Sequence, residues 1–260
     1  MNYWTQLSVD YANQRNYLDD LFRIYPTIPE DIRDIDRTAW EEVEKHFNAK
    51  DNTNLLCTLL KFELFPLKDS YVAYLRRDPS AIVRNPETVN RLCGRLYELG
   101  LRDIFLKCSE PKETNRQIGP LFKRWLRKGM LGVDLLPLND FVKTERNSIL
   151  DGSDKELMDF AKKELNYSRD KGLDLVGRFN KKYVIGEAKF LTDFGGHQNA
   201  QFSDAIQTIT TEGVRAIKVA ILDGVLFIKS NNKMYDFISS NQKEYNIMSA
   251  LVLREFLYQL

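Results

Sequence analysis

The stretch GLDLVGRFNKKYVIGEAKF, residues 172–190, constrains the fold of this chain more than any other. Two largely apolar runs flank Asn180-Lys181, a two-residue spacing suited to a β-hairpin. Strands are expected over residues 173–179 and 182–190. The second run has apolar residues on both faces (Tyr183, Val184, Ile185, Phe190), as in a strand covered from two sides. Yet it also carries Glu187 and Lys189. Residues two apart share a strand face, so these two point one way and Ala188 the other. If the hairpin closes, Asp174 approaches them from the first strand. Burying such groups is costly unless they are paired or hold a metal.

The rest of the chain shows where such a hairpin would sit. Residues 1–150 read mainly as helix. In NPETVNRLCGRLYELG, Asn85 suits the N-cap, Pro86 the first helical position and Gly100 the stop. Val89, Leu92, Cys93, Leu96 and Leu99 recur on one face. Further helices are expected around residues 40–46 and 55–65. Another should open at Gly119-Pro120 and close before Gly129, burying Leu121, Phe122, Trp125 and Leu126 and exposing Lys123, Arg124, Arg127 and Lys128. Near residue 150 the texture changes. SDKELMDFAKKEL predicts a helix capped by Ser153, GGHQNAQFSDAIQTI a Gly-Gly loop running into a helix, and IKVAILDGVLFI a buried strand. The tail MSALVLREFLYQL predicts a strand and then a helix. The expected layout is a mainly helical region over residues 1–150 and an α/β core over residues 151–260. No linker rich in Pro, Gly or Ser divides them, so one compact unit is expected.

Two carboxylates and a backbone carbonyl make a hard, oxygen-only site of the kind Mg²⁺ accepts. An adjacent lysine can position an attacking water and help to deprotonate it, and the metal offsets charge that builds on a phosphodiester. Asp174, Glu187 and Lys189 together suit phosphodiester hydrolysis, with Asp174 and Glu187 as metal ligands. An aspartate, a hairpin and then Glu187-Ala188-Lys189 resembles the PD-(D/E)XK nuclease superfamily. The helix before the hairpin and the helix after it also match that family's core, over roughly residues 150–230. Leu173 stands where the family usually has proline. The size of the chain, its single core and the lack of a motor or P-loop motif make it look most like a type II restriction endonuclease. The resemblance implies a mixed β-sheet flanked by helices, Mg²⁺, a homodimer, double-strand cleavage at a short DNA site, and a cognate DNA methyltransferase as partner. Two other readings stay open: a structure-selective nuclease of resolvase or repair type, and a non-catalytic DNA-binding protein on a nuclease-like core.

Several further residues bear on DNA. Residues 107–128 carry seven basic side chains against two acidic ones in a chain whose net charge is only +1. Arg116, Lys123, Arg124, Arg127 and Lys128 could contact phosphates there, or form the solvated face of an amphipathic helix. Asn115, Arg116 and Gln117 are candidates for base reading. Gln198, Asn199 and Gln201 could reach base edges as amides do, orient the attacked phosphate, or simply cap a helix. Glu156 and Glu164 read as an exposed helix face, Glu164 being the better placed to join a metal shell. Two histidines and three scattered cysteines argue against structural zinc. The cysteine pattern, with no recognisable secretory signal and no apolar run of membrane-spanning length, points to a reduced cytoplasmic protein.

Overall fold

Asn180 and Lys181 both adopt positive φ, 49° and 66°, the conformation a tight hairpin turn requires. In the computed structural model, which describes residues 1–14, 16–26, 33–111, 114–240 and 244–260 (the side chains of 114–117 excepted), this turn joins β3 (Leu175–Phe179) to β4 (Lys182–Leu191). The other strands are β1 (Asp134–Leu136), β2 (Ser148–Leu150), β5 (Ile217–Gly224) and β6 (Asn246–Met248). The six lie side by side in chain order. β1 is parallel to β2, β3 is antiparallel to both β2 and β4, and β5 runs parallel to β4 and β6. The expectation of an α/β chain with a mixed sheet and a helical N-terminal region therefore holds.

The chain divides into two compact units: Met1–Thr27 with Thr114–Leu260, and Ile28–Glu113. These boundaries fall elsewhere than the change of texture near residue 150. The sheet starts at Asp134, and the first helix, Tyr3–Ala12, belongs with it. β1 and β2 are three residues each, too short for a period-two pattern to stand out.

The unit Ile28–Glu113 is helical and has its own core of Leu55, Leu56, Leu59, Leu92, Leu96 and Ile104. Its longest helix, Pro86–Leu99, buries Val89, Leu92, Cys93 and Leu96 as the spacing predicts. Asn85 occupies the N-cap position, but its side-chain amide donates backward to Ala81 O instead of capping. The residues expected as helix around 40–46 and 55–65 lie in helices Arg37–Asn48 and Asn52–Lys61.

In the sheet unit, alternate residues of β4 serve two different layers. Val184 and Ala188 join a core with Leu121, Phe122 and Trp125 of the Thr114–Arg127 helix and with Leu253 and Phe256 of the C-terminal helix, Ala250–Tyr258. On the other face, Ile185 packs with Leu157, Phe160 and Ala161 of the Asp154–Leu165 helix. Leu191 packs with Phe202 and Ala205 of the Gly196–Thr210 helix. Glu187 and Lys189 therefore lie between two apolar clusters, on the face those two helices cover. Ser153 caps the first of these helices: its Oγ accepts from Glu156 N–H, and Glu156 returns the bond to the Ser153 backbone.

Two expectations need correction. The helix expected to open at Gly119-Pro120 opens at Thr114 and keeps Pro120 inside. Burial of Ile118, Leu121, Phe122 and Trp125 along one stripe offsets the lost backbone bond at the proline. The strand expected through residue 228 stops at Gly224, and a 3-10 turn, Val225–Phe227, follows. Gly224 has φ +93°, and a Cβ there would lie 2.1 Å from Leu191 O, so only glycine fits. No described helix is long and apolar enough to cross a membrane.

Candidate active site

The β3–β4 register pairs Leu175 with Gly186, and one further step sets Asp174 across from Glu187. The ladder extends that far: Asp174 N–H donates to Gly186 O at 3.0 Å. The Asp174 carboxylate then turns onto the neighbouring strand, where its Oδ2 accepts from Ala188 N–H at 2.8 Å. Lys189 Nζ lies 2.5 Å from Glu187 Oε1 and 3.7 Å from Asp174 Oδ2. Hairpin closure thus gathers two carboxylates and one ammonium at one point. All three are largely buried: Glu187 is only 2% exposed.

The electrostatics follow from that burial. Loss of water pushes the Glu187 carboxyl up to about 7, the nearby Asp174 adds to the rise, and Lys189 opposes it. Burial likewise raises Asp174, against the pull of Lys189. For Lys189, burial disfavours the charged form, but Asp174 and Glu187 outweigh it and hold the ammonium above its ordinary range. One atom is left over. Glu187 Oε2 is buried and has no hydrogen-bond partner. Orphaned buried acceptors are rare, and the residue that carries this one lines a cleft.

The cleft measures about 420 Å³ and is lined by Asp174, Glu187, Lys189, Asp154, Lys155 and Lys171, among others. A second cleft of about 410 Å³ shares Asp154 and Asp174 and is lined by Lys123, Arg124 and Arg127. The basic helix face thus shares a cleft with Asp174. Lys123 is ion-paired with Asp154 and donates to Gly152 O, and Arg127 donates twice to Asp151 Oδ1. Arg124 is exposed.

The other sequence candidates scatter. Gln198 is buried rather than presented to solvent, and its amide is engaged with Thr192, accepting from its N–H and donating to its Oγ1 at 3.3 Å each. Asn199 is exposed and Gln201 half-buried; Asn199 donates to Phe194 O, and Gln201 Nε2 lies 3.1 Å from His197 Nε2. Glu156 is used in the capping box, and Glu164 pairs with Lys163 at 3.6 Å. The side chains of Asn115, Arg116 and Gln117 lie outside the described residues. Sequence reasoning missed Asp154, Lys171 and Asp204. Lys171, three residues before Asp174, had the nearer signal; the link to Asp204 spans 33 residues and leaves no local trace.

Asp174 and Glu187 could hold a divalent cation. They supply hard oxygens, and the orphaned Oε2 is an acceptor awaiting a positive partner. Among the described residues no group of three or more His, Cys, Asp and Glu side chains is gathered for a metal. Water would have to fill the remaining positions, as Mg²⁺ commonly allows.

Comparison with known proteins supplies the context. No curated protein and no solved structure gives a significant match. A family model described as Tsp45I type II restriction enzyme matches residues 2–260. Because that match runs almost from end to end, the chain belongs to the Tsp45I type II restriction enzyme family and is a site-specific DNA endonuclease.

Proposed function

We propose that Asp174, Glu187 and Lys189 are the hydrolytic residues of this endonuclease, on a core of the PD-(D/E)XK type, with Mg²⁺ as the cation. The observation that carries the reading is the register: Asp174 stands opposite Glu187, with Lys189 between the two carboxylates and Glu187 Oε2 left without a partner. In this reading Asp174 and Glu187 hold the cation. When bound, Mg²⁺ supplies positive charge that offsets the charge built on the scissile phosphate. Lys189 holds and orients the attacking water from the buried side of the cleft, and the apolar clusters around Ile185 and Leu191 restrict bulk water there.

The DNA backbone would run along the cleft of Lys123, Arg124 and Arg127, with Arg116 on the same helix. Phosphates would exchange with Asp151 and Asp154 for Arg127 and Lys123. Asn199 and Gln201 are the amides proposed to face DNA, whereas Gln198 braces the loop after β4. The helical unit Ile28–Glu113 is assigned to DNA binding, dimerisation or both. A homodimer on a two-fold DNA site and a protecting methyltransferase complete the proposal.

The test is incubation of unmethylated phage DNA with the purified protein, in Mg²⁺ and in chelator, beside Glu187→Ala and Lys189→Ala. Sharp Mg²⁺-dependent fragments, absent in both variants, are expected. Fragments that persist with chelator or in either variant would remove the assignment of the site.

A further inference from the structure

A second ammonium stands beside Glu187. Lys171 precedes β3, and its Nζ lies 3.9 Å from Glu187 Oε1 and 3.1 Å from Asp204 Oδ2. Its side chain is 37% exposed, against 20% for Lys189, and it borders the same cleft. The segment that carries it is fastened on two sides. Arg169 donates to Asp204 O, Thr208 Oγ1 and Gln207 Oε1, all on the Gly196–Thr210 helix. Gly172 abuts the other helix so closely that a Cβ would come 2.7 Å from Asp154 Cβ. Lys171 therefore projects from backbone held between two helices, in the way a preorganised contact requires.

Its role is not simply to neutralise Glu187. Lys189 already holds Glu187 Oε1, and 3.9 Å is beyond hydrogen-bonding distance. A neutralising lysine would also be expected to reach the orphaned Oε2, and Lys171 does not. An ammonium has three donors, and Asp204 takes one. The side chain is thus anchored at one point, with donors left for an anion in the cleft.

We propose that Lys171 is a second contact to a DNA phosphate next to the hydrolytic residues, and that Asp204 is the positioning residue that aims it. The proposal rests on the assignment of Asp174, Glu187 and Lys189 made above.

The experiment has two readouts. Binding of a fluorescently labelled duplex cut from phage DNA is followed by anisotropy in chelator across a NaCl titration. Single-turnover cleavage is followed in Mg²⁺. Losing one phosphate contact lowers the slope of log affinity against log salt by about one. Lys171→Met should show that loss and cut about 10-fold or more slowly, whereas Lys171→Arg should keep the slope. Asp204→Asn should keep the slope, since the ammonium remains, but slow cleavage. An unchanged slope in Lys171→Met overturns the proposal, even if cleavage slows, because Lys171 would then act only through Glu187. Should Lys171→Met fail to fold, by circular dichroism, the other two variants decide: Asp204→Asn with the wild-type rate, or Lys171→Arg with a lowered slope, overturns it. Glu187→Ala in the same assays separates the two levels. Residual cutting there defeats the underlying site assignment, while a dead Glu187→Ala beside an unchanged Lys171→Met slope defeats the Lys171 proposal alone.

Discussion

Glu187 on β4 and Asp223 on β5 are both buried carboxylates on adjacent strands, but their surroundings differ. Asp223 is fully enclosed, and both its oxygens have donors: Ser249 Oγ at 2.5 Å, Tyr25 Oη at 2.7 Å and Ala250 N–H at 3.3 Å. It ties the start of the Ala250–Tyr258 helix to the sheet and to the segment after the helix Tyr17–Ile24. Glu187 shares one oxygen with Lys189, leaves the other unpaired, and opens on a cleft. Burial alone therefore does not mark a functional carboxylate. What sets Glu187 apart is an incomplete set of partners beside a cleft, which leaves interaction free energy available to a ligand.

The largest expected effect separates the two carboxylates by activity. Glu187→Gln keeps the shape and removes the charge, so single-turnover cleavage should fall by about 10³-fold or more, the loss of several kcal/mol of electrostatic stabilisation. The melting temperature should not fall, since a desolvated charge has been removed. Cleavage within about tenfold of wild type would make Glu187 as structural as Asp223, and the contrast would vanish.

Next in size is the stability of the enclosed carboxylate. Asp223→Ala leaves the donors of Ser249, Tyr25 and Ala250 unpaired in the core. A loss of about 3 kcal/mol in denaturant unfolding is expected. A loss below about 0.5 kcal/mol would show that the network is dispensable.

The smallest effect sharpens the contrast through pH. Burial raises Asp223 to about 6 from an ordinary value of 3.8, against the lowering influence of its bonds to Ser249, Tyr25 and Ala250. Tyr25 and Tyr17, the titratable groups nearby, are raised by burial and stay neutral throughout this range. Between pH 3.8 and about 6 the folded state holds a proton that the unfolded state has released. The contribution is therefore complete below the lower value and is lost as pH rises through the upper one. The loss is at most about 3 kcal/mol. Stability measured against pH should fall less steeply over that window in Asp223→Asn than in the wild type. Parallel curves would show that Asp223 does not titrate there.

Much of the fold was legible because local chemistry specified it. Asn180-Lys181 forms the turn its spacing predicts, Ser153 caps its helix, and Leu121, Phe122, Trp125 and Leu126 turn inward together. The Asp174, Glu187 and Lys189 cluster was legible for the same reason, since a two-residue hairpin fixes which residues stand opposite. Other features had no local signature. Gln198 looks like a free amide until Thr192 is seen beside it. The break at Gly224 depends on the approach of Leu191 O from the neighbouring strand. Lys123 and Arg127 look like open cations until the loop after β2 brings Asp151 and Asp154 to them.

By itself, the sequence determined the hairpin, its acidic pair and lysine, and the helices on either side, because turn geometry, capping and side-chain period act over a few residues. Only the tertiary structure decided which helix lies over which face of β4, which basic groups reach the cleft, and why Asp223 is closed while Glu187 is open. Those outcomes depend on packing and ion pairs between residues far apart in the chain, whose free energy exists only once the sheet has assembled.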